Sequence, residues 1–265
     1  MSNKANSKPI KRDGADKPII LALDSTTLEC SVSIARGHEI VVTVSSDKSK
    51  AHSASLLEWI KDAIDKANIS IPEVDLYAVA SGPGSFTGMR VGISTVKALS
   101  ASTETPCIGI STLKALAHCA GPSNFTCAVI SAGRNEVFSQ TFSVDNEGNV
   151  CEINKPSSCG FPELLEHMLL FESVLWVGSG ATKHLDEIDS FVKERGIGIL
   201  RTHRSGEGER KLLQKAWAID ERIKCVSESV AYLAYKAFLD NQIISPEQLS
   251  AEYVRATEFE VKITE

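Results

Sequence analysis

A glycine-rich turn is the part of this sequence best suited to chemistry. It reads Ser81-Gly-Pro-Gly-Ser-Phe-Thr-Gly-Met-Arg-Val-Gly92 and lies between an apolar run and a helical one. Free amides and the helix dipole at such a turn can bind an anion. The glycines at 82, 84 and 88 are spaced one residue away from the dinucleotide-binding pattern, and no Lys-Ser or Lys-Thr pair follows as in a P-loop. An anion site is therefore one hypothesis among three.

The helix after this turn supplies the other two hypotheses. One stripe of the helix carries Gly88, Gly92, Thr95 and Leu99, flanked by Ser94 and Ala98. Small side chains let a second helix approach closely, so the exposed part of the stripe would be a docking face for a partner protein. Alternatively, the glycines serve only tight packing between the strand and the helix. The turn sequence alone leaves all three hypotheses open.

Hydrolase and metal chemistry lack their usual signatures in this chain. Ser85 follows Pro-Gly, so the nucleophile pattern G-x-S-x-G is absent. The seven cysteines are odd in number and contain no C-x-x-C pair, which predicts reduced, mostly structural thiols in a cytoplasmic protein. No H-x-x-x-H or H-E-x-x-H pair occurs, and a structural or surface role is expected for His38, His52, His118, His167, His184 and His203.

The composition excludes several classes of protein. The chain has 265 residues, of which 43% are hydrophobic and 23% charged, with a net charge of −6. No run approaches the roughly 20 apolar residues of a transmembrane helix. Residues 1–17 carry a net charge of +3 and predict a disordered basic tail, which leaves −9 on the remainder. An acidic body disfavours a simple nucleic-acid binder, although the tail and a second basic cluster at 201–211 could touch RNA.

Two α/β lobes are needed to hold these residues. The first reads β-β-β-α-β-α-β-α, with strands expected at 19–24, 30–35, 39–45, 74–80 and 107–110 and helices at 53–67, at about 85–101 and at 113–119. The second has strands at 125–130, 136–142 and 174–177 and helices at 162–170, 211–222 and 227–240, with an exposed loop at 196–210. The lobes are expected to meet near residues 103–108.

Four stretches of the first lobe carry a family resemblance. SGPGSFTGMRVG, LALDST, AHSASLL and GISTLKALA closely resemble the TsaB family, and VISAGRNEVF, VGSGA and SAEYVR are weaker traces. The resemblance implies an α/β fold of the two-lobed actin/Hsp70/sugar-kinase (ASKHA) type, each lobe ribonuclease-H-like. It also implies an N-terminal docking lobe at 18–105 and a C-terminal lobe at 106–265, whose last helix could pack back on the first lobe.

The same resemblance implies a function without catalysis. The chain would be a scaffold that heterodimerises with a TsaD-like transferase, which installs threonylcarbamoyl on the adenosine next to the anticodon of tRNA. A TsaE-like ATPase would complete the complex, tRNA contact would be indirect, and the isolated chain would form a weak homodimer. Phe86 would be an apolar anchor and Arg90 a hydrogen-bond donor in an interface of Leu56, Leu57, Ile60, Ser85, Phe86, Thr87, Gly88, Met89, Arg90, Gly92 and Thr95.

The resemblance also implies a vestigial nucleotide site. Its residues would be Asp24, Ser25, Thr26, Gly178 and Gly180, while Ser131 stands where relatives typically have an aspartate. A hydroxyl is a weaker metal ligand than a carboxylate, so no metal and no cofactor are expected for the isolated chain. Whether a nucleotide binds at the subunit interface of the complex stays open. The alternatives are a stand-alone ATP-dependent phosphotransferase of the same fold and, third, a metallopeptidase-like glycoprotease.

Overall fold

The central strand of the first sheet is buried along its whole length and apolar up to its last residue, Asp24, because helices cover both faces of that sheet. The computed structural model describes residues 17–45, 56–133, 135–202, 216–221 and 225–254. The predictions for residues 1–16 of the tail, for residues 51–55 and for residues 203–211 lie outside them. Within the described ranges, no helix combines the length and the apolar character needed to cross a membrane.

The described elements fall into two compact units, residues 17–115 with 225–252, and residues 116–221 with 253–254. The strands are β1 (Ile19–Asp24), β2 (Ser31–Arg36), β3 (Glu39–Ser45), β4 (Leu76–Gly82), β5 (Cys107–Ser111), β6 (Ser123–Gly133), β7 (Glu136–Val144), β8 (Val150–Glu152), β9 (Ser157–Gly160), β10 (Val174–Val177), β11 (Gly198–Thr202) and β12 (Ala216–Asp220). The helices are α1 (Leu56–Ala67), α2 (Phe86–Thr103), α3 (Thr112–Ala120), α4 (Phe161–Met168), α5 (Ser179–Lys183), α6 (Leu185–Glu194) and α7 (Val226–Leu239).

The first unit is built on a sheet of order β3-β2-β1-β4-β5, antiparallel from β3 to β1 and parallel from β1 to β5. One face packs against α1 and α2, which share a core with Leu21 and Leu23. The other face receives α7, whose Ser227 hydroxyl lies 2.7 Å from the Ser33 hydroxyl of β2. Because β5 pairs with β4, this unit runs to Ala115 and not to residue 105, which corrects the boundary expected from the sequence.

The second unit is built on a sheet of order β11-β12-β10-β6-β7-β8, with β9 paired to β7. Its core contains Trp176 and Trp217, whose ring centroids lie 5.1 Å apart. The helix expected at 211–222 is wrong at its centre, because residues 216–220 form β12 between β10 and β11. Trp217 and Ile219 are both buried and alternate with less buried neighbours, which is the period of a strand.

Candidate interaction site

The glycine turn connects β4 to α2 and is fixed from both sides. Ser85 caps α2, its hydroxyl accepting a hydrogen bond from the Gly88 amide at 3.2 Å. The Ser85 amide in turn donates to the Thr26 carbonyl at 2.8 Å. Gly82 has a φ of +115°, which favours glycine, and its peptide bond to Pro83 is cis. The first turn of α2 is therefore anchored to the loop after β1.

Gly88 and Gly92 face the inside of the unit. A Cβ on Gly88 would lie 1.8 Å from the Ser25 carbonyl oxygen, and one on Gly92 would lie 2.4 Å from the Ser25 hydroxyl. That hydroxyl donates to the Gly88 carbonyl at 2.7 Å. The glycines thus let α2 contact the loop that holds Ser25. Their expected role, to admit a partner helix, is corrected: the close approach that they allow is internal.

Three other interface candidates are also interior. Leu56 is 2% exposed, Ile60 4% and Met89 2%, and all three belong to the core of the first unit. This corrects their assignment to an exposed face. The error has a simple cause, since the helical period identifies the residues that share a stripe but not the direction in which the stripe points.

The remaining candidates are accessible. Leu57 is 66% exposed and Phe86 53%, while Ser85, Thr87 and Arg90 are also exposed and Thr95 is half-buried. The Arg90 guanidinium carbon lies 3.9 Å from the centroid of the Phe86 ring, a cation–π contact that orders both side chains. We call the exposed side of α2 the α2 face and define it by Ser85, Phe86, Thr87, Arg90, Ser94 and Ala98. It joins an apolar anchor, a cation and small side chains on one helix.

The loop that carries the first candidate nucleotide residues is closed on itself. Asp24 is fully buried, and its Oδ1 accepts from the Thr26 amide at 2.8 Å and the Thr26 hydroxyl at 2.7 Å. Its Oδ2 accepts from the Thr27 hydroxyl, and the Thr26 hydroxyl also lies 3.0 Å from that of Thr112. Burial raises the pKa of the Asp24 carboxyl, although these donors oppose the rise. Both carboxylate oxygens are thus occupied by the loop's own donors.

The candidate residues of the second unit serve packing. A Cβ on Gly178 would lie 2.4 Å from the Val129 carbonyl oxygen, and one on Gly180 would lie 2.5 Å from the Val129 Cγ1, so both glycines seat α5 against β6. The Lys183 ammonium donates to the Ser131 hydroxyl at 3.2 Å. An ammonium thus lies at the strand end where the fold would place a metal-binding acid.

Neither strand end favours a metal ion. The Asp24 oxygens accept hydrogen bonds from their own loop, which compete with a cation, and the strand end of the second unit carries a hydroxyl beside a positive charge. Elsewhere in the described ranges, no group of three His, Cys, Asp or Glu side chains could hold a metal ion.

The described histidines occupy structural or surface positions. His184 stacks on Phe161 with ring centroids 4.1 Å apart, and its Nδ1 lies 2.7 Å from Glu187 Oε1. Burial lowers the pKa of His118 to about 4, so this side chain is neutral at physiological pH. His38 is exposed beside Glu39. All seven cysteines are free thiols.

One element of the site was not expected from the sequence. Residues 244–252, which we call the strap, run from the amino end of β5 to the carboxyl end of β4. Leu249 is 1% exposed within the core, and the Glu252 amide donates to the Ser81 carbonyl at 2.8 Å. Leu249 stands alone among polar residues, so no period marked it; the SAEYVR trace of the family resemblance was the only available signal.

Comparison with known proteins identifies a matching family model and several similar proteins. The family model described as TsaD, tRNA N6-adenosine threonylcarbamoyltransferase, matches residues 42–156. The chain is 36% identical over 100 residues to the tRNA threonylcarbamoyladenosine biosynthesis protein TsaB of Buchnera aphidicola subsp. Schizaphis graminum, a match that covers 38% of this chain and 47% of that protein. It is 29% identical over 165 residues to TsaB of Escherichia coli, covering 61% and 70%. The chain thus spans about half the length of the first relative.

The backbone is also similar to a solved structure. YeaZ from Pseudomonas aeruginosa superposes with a TM-score of 0.68 at 21% identity, covering 89% of this chain and 100% of that one. Together with the two mixed sheets, this confirms the predicted α/β class and shows that the chain shares the fold of YeaZ. The glycine-turn motif lies within the part of the chain that the family model matches. The chain is similar to members of the TsaB family.

Proposed function

We propose that the chain is a non-catalytic subunit of tRNA threonylcarbamoyladenosine biosynthesis that binds and activates a TsaD-like transferase through the α2 face. The relatives named as TsaB proteins of tRNA threonylcarbamoyladenosine biosynthesis support the pathway. The observation that carries the docking assignment is the exposed Phe86–Arg90 pair at the start of a helix fixed by internal contacts. The transferase supplies the chemistry, and this chain supplies a preformed surface.

The α2 face has the properties of an interface anchor. An aromatic ring held by a neighbouring guanidinium loses little conformational freedom on binding, which favours affinity. Within the described part of the chain, Arg90 forms no ion pair, so its N–H groups are available to a carboxylate or carbonyl of the partner. Truncating an anchor at the centre of an interface costs about 2 kcal/mol or more, which is about thirtyfold in Kd.

The absence of catalysis in this chain is part of the proposal. It is supported by the hydrogen bonds that the Asp24 carboxyl accepts within its own loop and by the Lys183 ammonium beside the Ser131 hydroxyl, which disfavour a metal ion at each strand end. The phosphotransferase alternative requires Mg²⁺ to bind together with ATP. Calorimetric titration of the isolated chain with ATP and Mg²⁺ distinguishes the two: we expect no saturable binding, whereas tight binding with ADP release would establish the alternative.

The wider assembly follows from the same division of roles. We propose that a TsaE-like ATPase joins the transferase complex and that tRNA phosphates contact mainly the partners, since this chain has a net charge of −6. The location that this requires is the cytoplasm, where tRNA is modified.

Heterodimer formation tests the docking assignment. Sedimentation velocity of the chain with its TsaD-like transferase is compared for wild type, Phe86→Ala and Leu170→Ala. Leu170 is 76% exposed and lies in the second unit, so it is a matched apolar control. We expect Phe86→Ala to weaken the heterodimer at least about thirtyfold and Leu170→Ala to leave it unchanged. Equal binding by all three chains would exclude docking through the α2 face.

A further inference from the structure

The strap contacts the glycine turn that precedes α2. Ile244 forms an antiparallel bridge with Cys107 of β5, donating at 2.9 Å and accepting at 3.0 Å. Eight residues later, the Glu252 amide donates to the Ser81 carbonyl at 2.8 Å. These two backbone contacts tie one end of the strap to the amino end of β5 and the other end to the carboxyl end of β4.

Leu249 fixes the middle of the strap. Its side chain is 1% exposed and packs in the same core as Met89 of α2. A Cβ on Gly109 would lie 3.2 Å from Leu249 Cδ1 and 3.0 Å from the Ser81 Cβ, so β5 leaves space here for the leucine beside Ser81. The leucine therefore determines how closely the strap backbone approaches β4.

The strap then limits the conformation of the turn itself. A Cβ on Gly82 would lie 2.7 Å from the Glu252 carbonyl oxygen and 2.6 Å from the Met89 sulfur. Gly82 is thus enclosed between the strap backbone and α2, with a φ of +115°. Phe86, the first residue of α2, lies four positions after Gly82, so a shift of the turn would displace this residue of the α2 face.

We infer that the strap is a positioning element for the α2 face, and that Leu249 is its principal positioning residue. The strap acts indirectly: it holds Ser81 and Gly82, which in turn orient Phe86 and Arg90, and it does not itself bind the partner protein. The consequence for partner binding rests on the proposed function, whereas the consequence for the turn does not.

Hydrogen exchange of the full chain tests the positioning directly. Wild type, Leu249→Ala and Leu239→Ala are compared by mass spectrometry, with peptides that cover residues 82–90 and, as an internal reference, residues 31–36 of β2. Leu239 is 59% exposed at the end of α7 and serves as the matched control. We expect Leu249→Ala to exchange about tenfold faster at residues 82–90 and no faster at residues 31–36. Leu239→Ala should match wild type.

The outcomes separate the inference from the proposed function. Unchanged exchange at residues 82–90, or an equal increase at residues 31–36, would overturn the positioning role. Faster exchange at the turn with full affinity for the TsaD-like transferase would support positioning but exclude docking through the α2 face. We expect faster exchange and at least about tenfold weaker heterodimer formation together. If Leu249→Ala does not fold, Leu249→Val removes one methylene and gives the same readout.

Discussion

Replacing Gly88 by alanine should destabilise the first unit, although alanine normally favours a helix. In an ordinary exposed helix the change stabilises by about 1 kcal/mol. Here the new methyl carbon would lie 1.8 Å from the Ser25 carbonyl oxygen, so one backbone must move by more than ~1 Å. Overpacking of this kind costs about 1–3 kcal/mol.

The movement would also break local hydrogen bonds. The Ser25 hydroxyl donates to the Gly88 carbonyl at 2.7 Å, and the Ser85 amide donates to the Thr26 carbonyl at 2.8 Å. Each such bond contributes about 0.5–1.5 kcal/mol. With the gain in helix propensity subtracted, we expect Gly88→Ala to lower the free energy of unfolding by about 3 kcal/mol.

Urea unfolding followed by circular dichroism and tryptophan fluorescence measures this change. Gly160→Ala is the matched control, because the closest atom to its new methyl would be Pro162 Cδ at 4.0 Å and its φ is −66°. We expect the control to change stability by less than about 1 kcal/mol. A Gly88→Ala chain as stable as wild type, or more so, would refute the internal role of this glycine.

Three further changes have defined outcomes. Burial raises the pKa of Asp24, so the folded chain binds the carboxyl proton more tightly than the unfolded chain does. The free energy of unfolding should therefore fall as the pH rises from 3.8 through the raised pKa, and Asp24→Asn should remove this pH dependence in unfolding experiments. Burial lowers the pKa of His118 to about 4, so wild type should lose stability as the pH falls from 6.5 toward that value, and His118→Gln should lose less. We expect the isolated chain to form a weak homodimer through the α2 face, and Phe86→Ala to be more monomeric in sedimentation equilibrium at high concentration; a strict monomer in wild type would contradict this.

Local patterns were sufficient to predict most of the first unit. The buried run of β1 and the helical spacing of α1 are each carried by nearby residues, and each matches the structure. The family resemblance then extended these elements to the correct class of fold. Such features are predictable because short-range spacing determines them.

Features that depend on distant contacts were not predictable. The direction of the Gly88 stripe depends on Ser25, more than sixty residues earlier, which the helical period does not register. β12 is short and was assigned to a helix, since its pairing with β10 and β11 defines it more than its own sequence does. The strap is held by Leu249 and two backbone contacts, and isolated residues of this kind form no pattern.

Threonylcarbamoyl transfer to tRNA by the TsaD-like transferase tests the central claim most directly. The reaction is reconstituted with wild-type chain, with Phe86→Ala at the α2 face, or with Lys183→Met beside Ser131, and product formation is measured at a fixed transferase concentration. We expect Phe86→Ala to lose at least about 90% of the activation at limiting chain concentration and Lys183→Met to retain all of it. Full activation by Phe86→Ala together with loss in Lys183→Met would contradict a scaffold that acts through its surface.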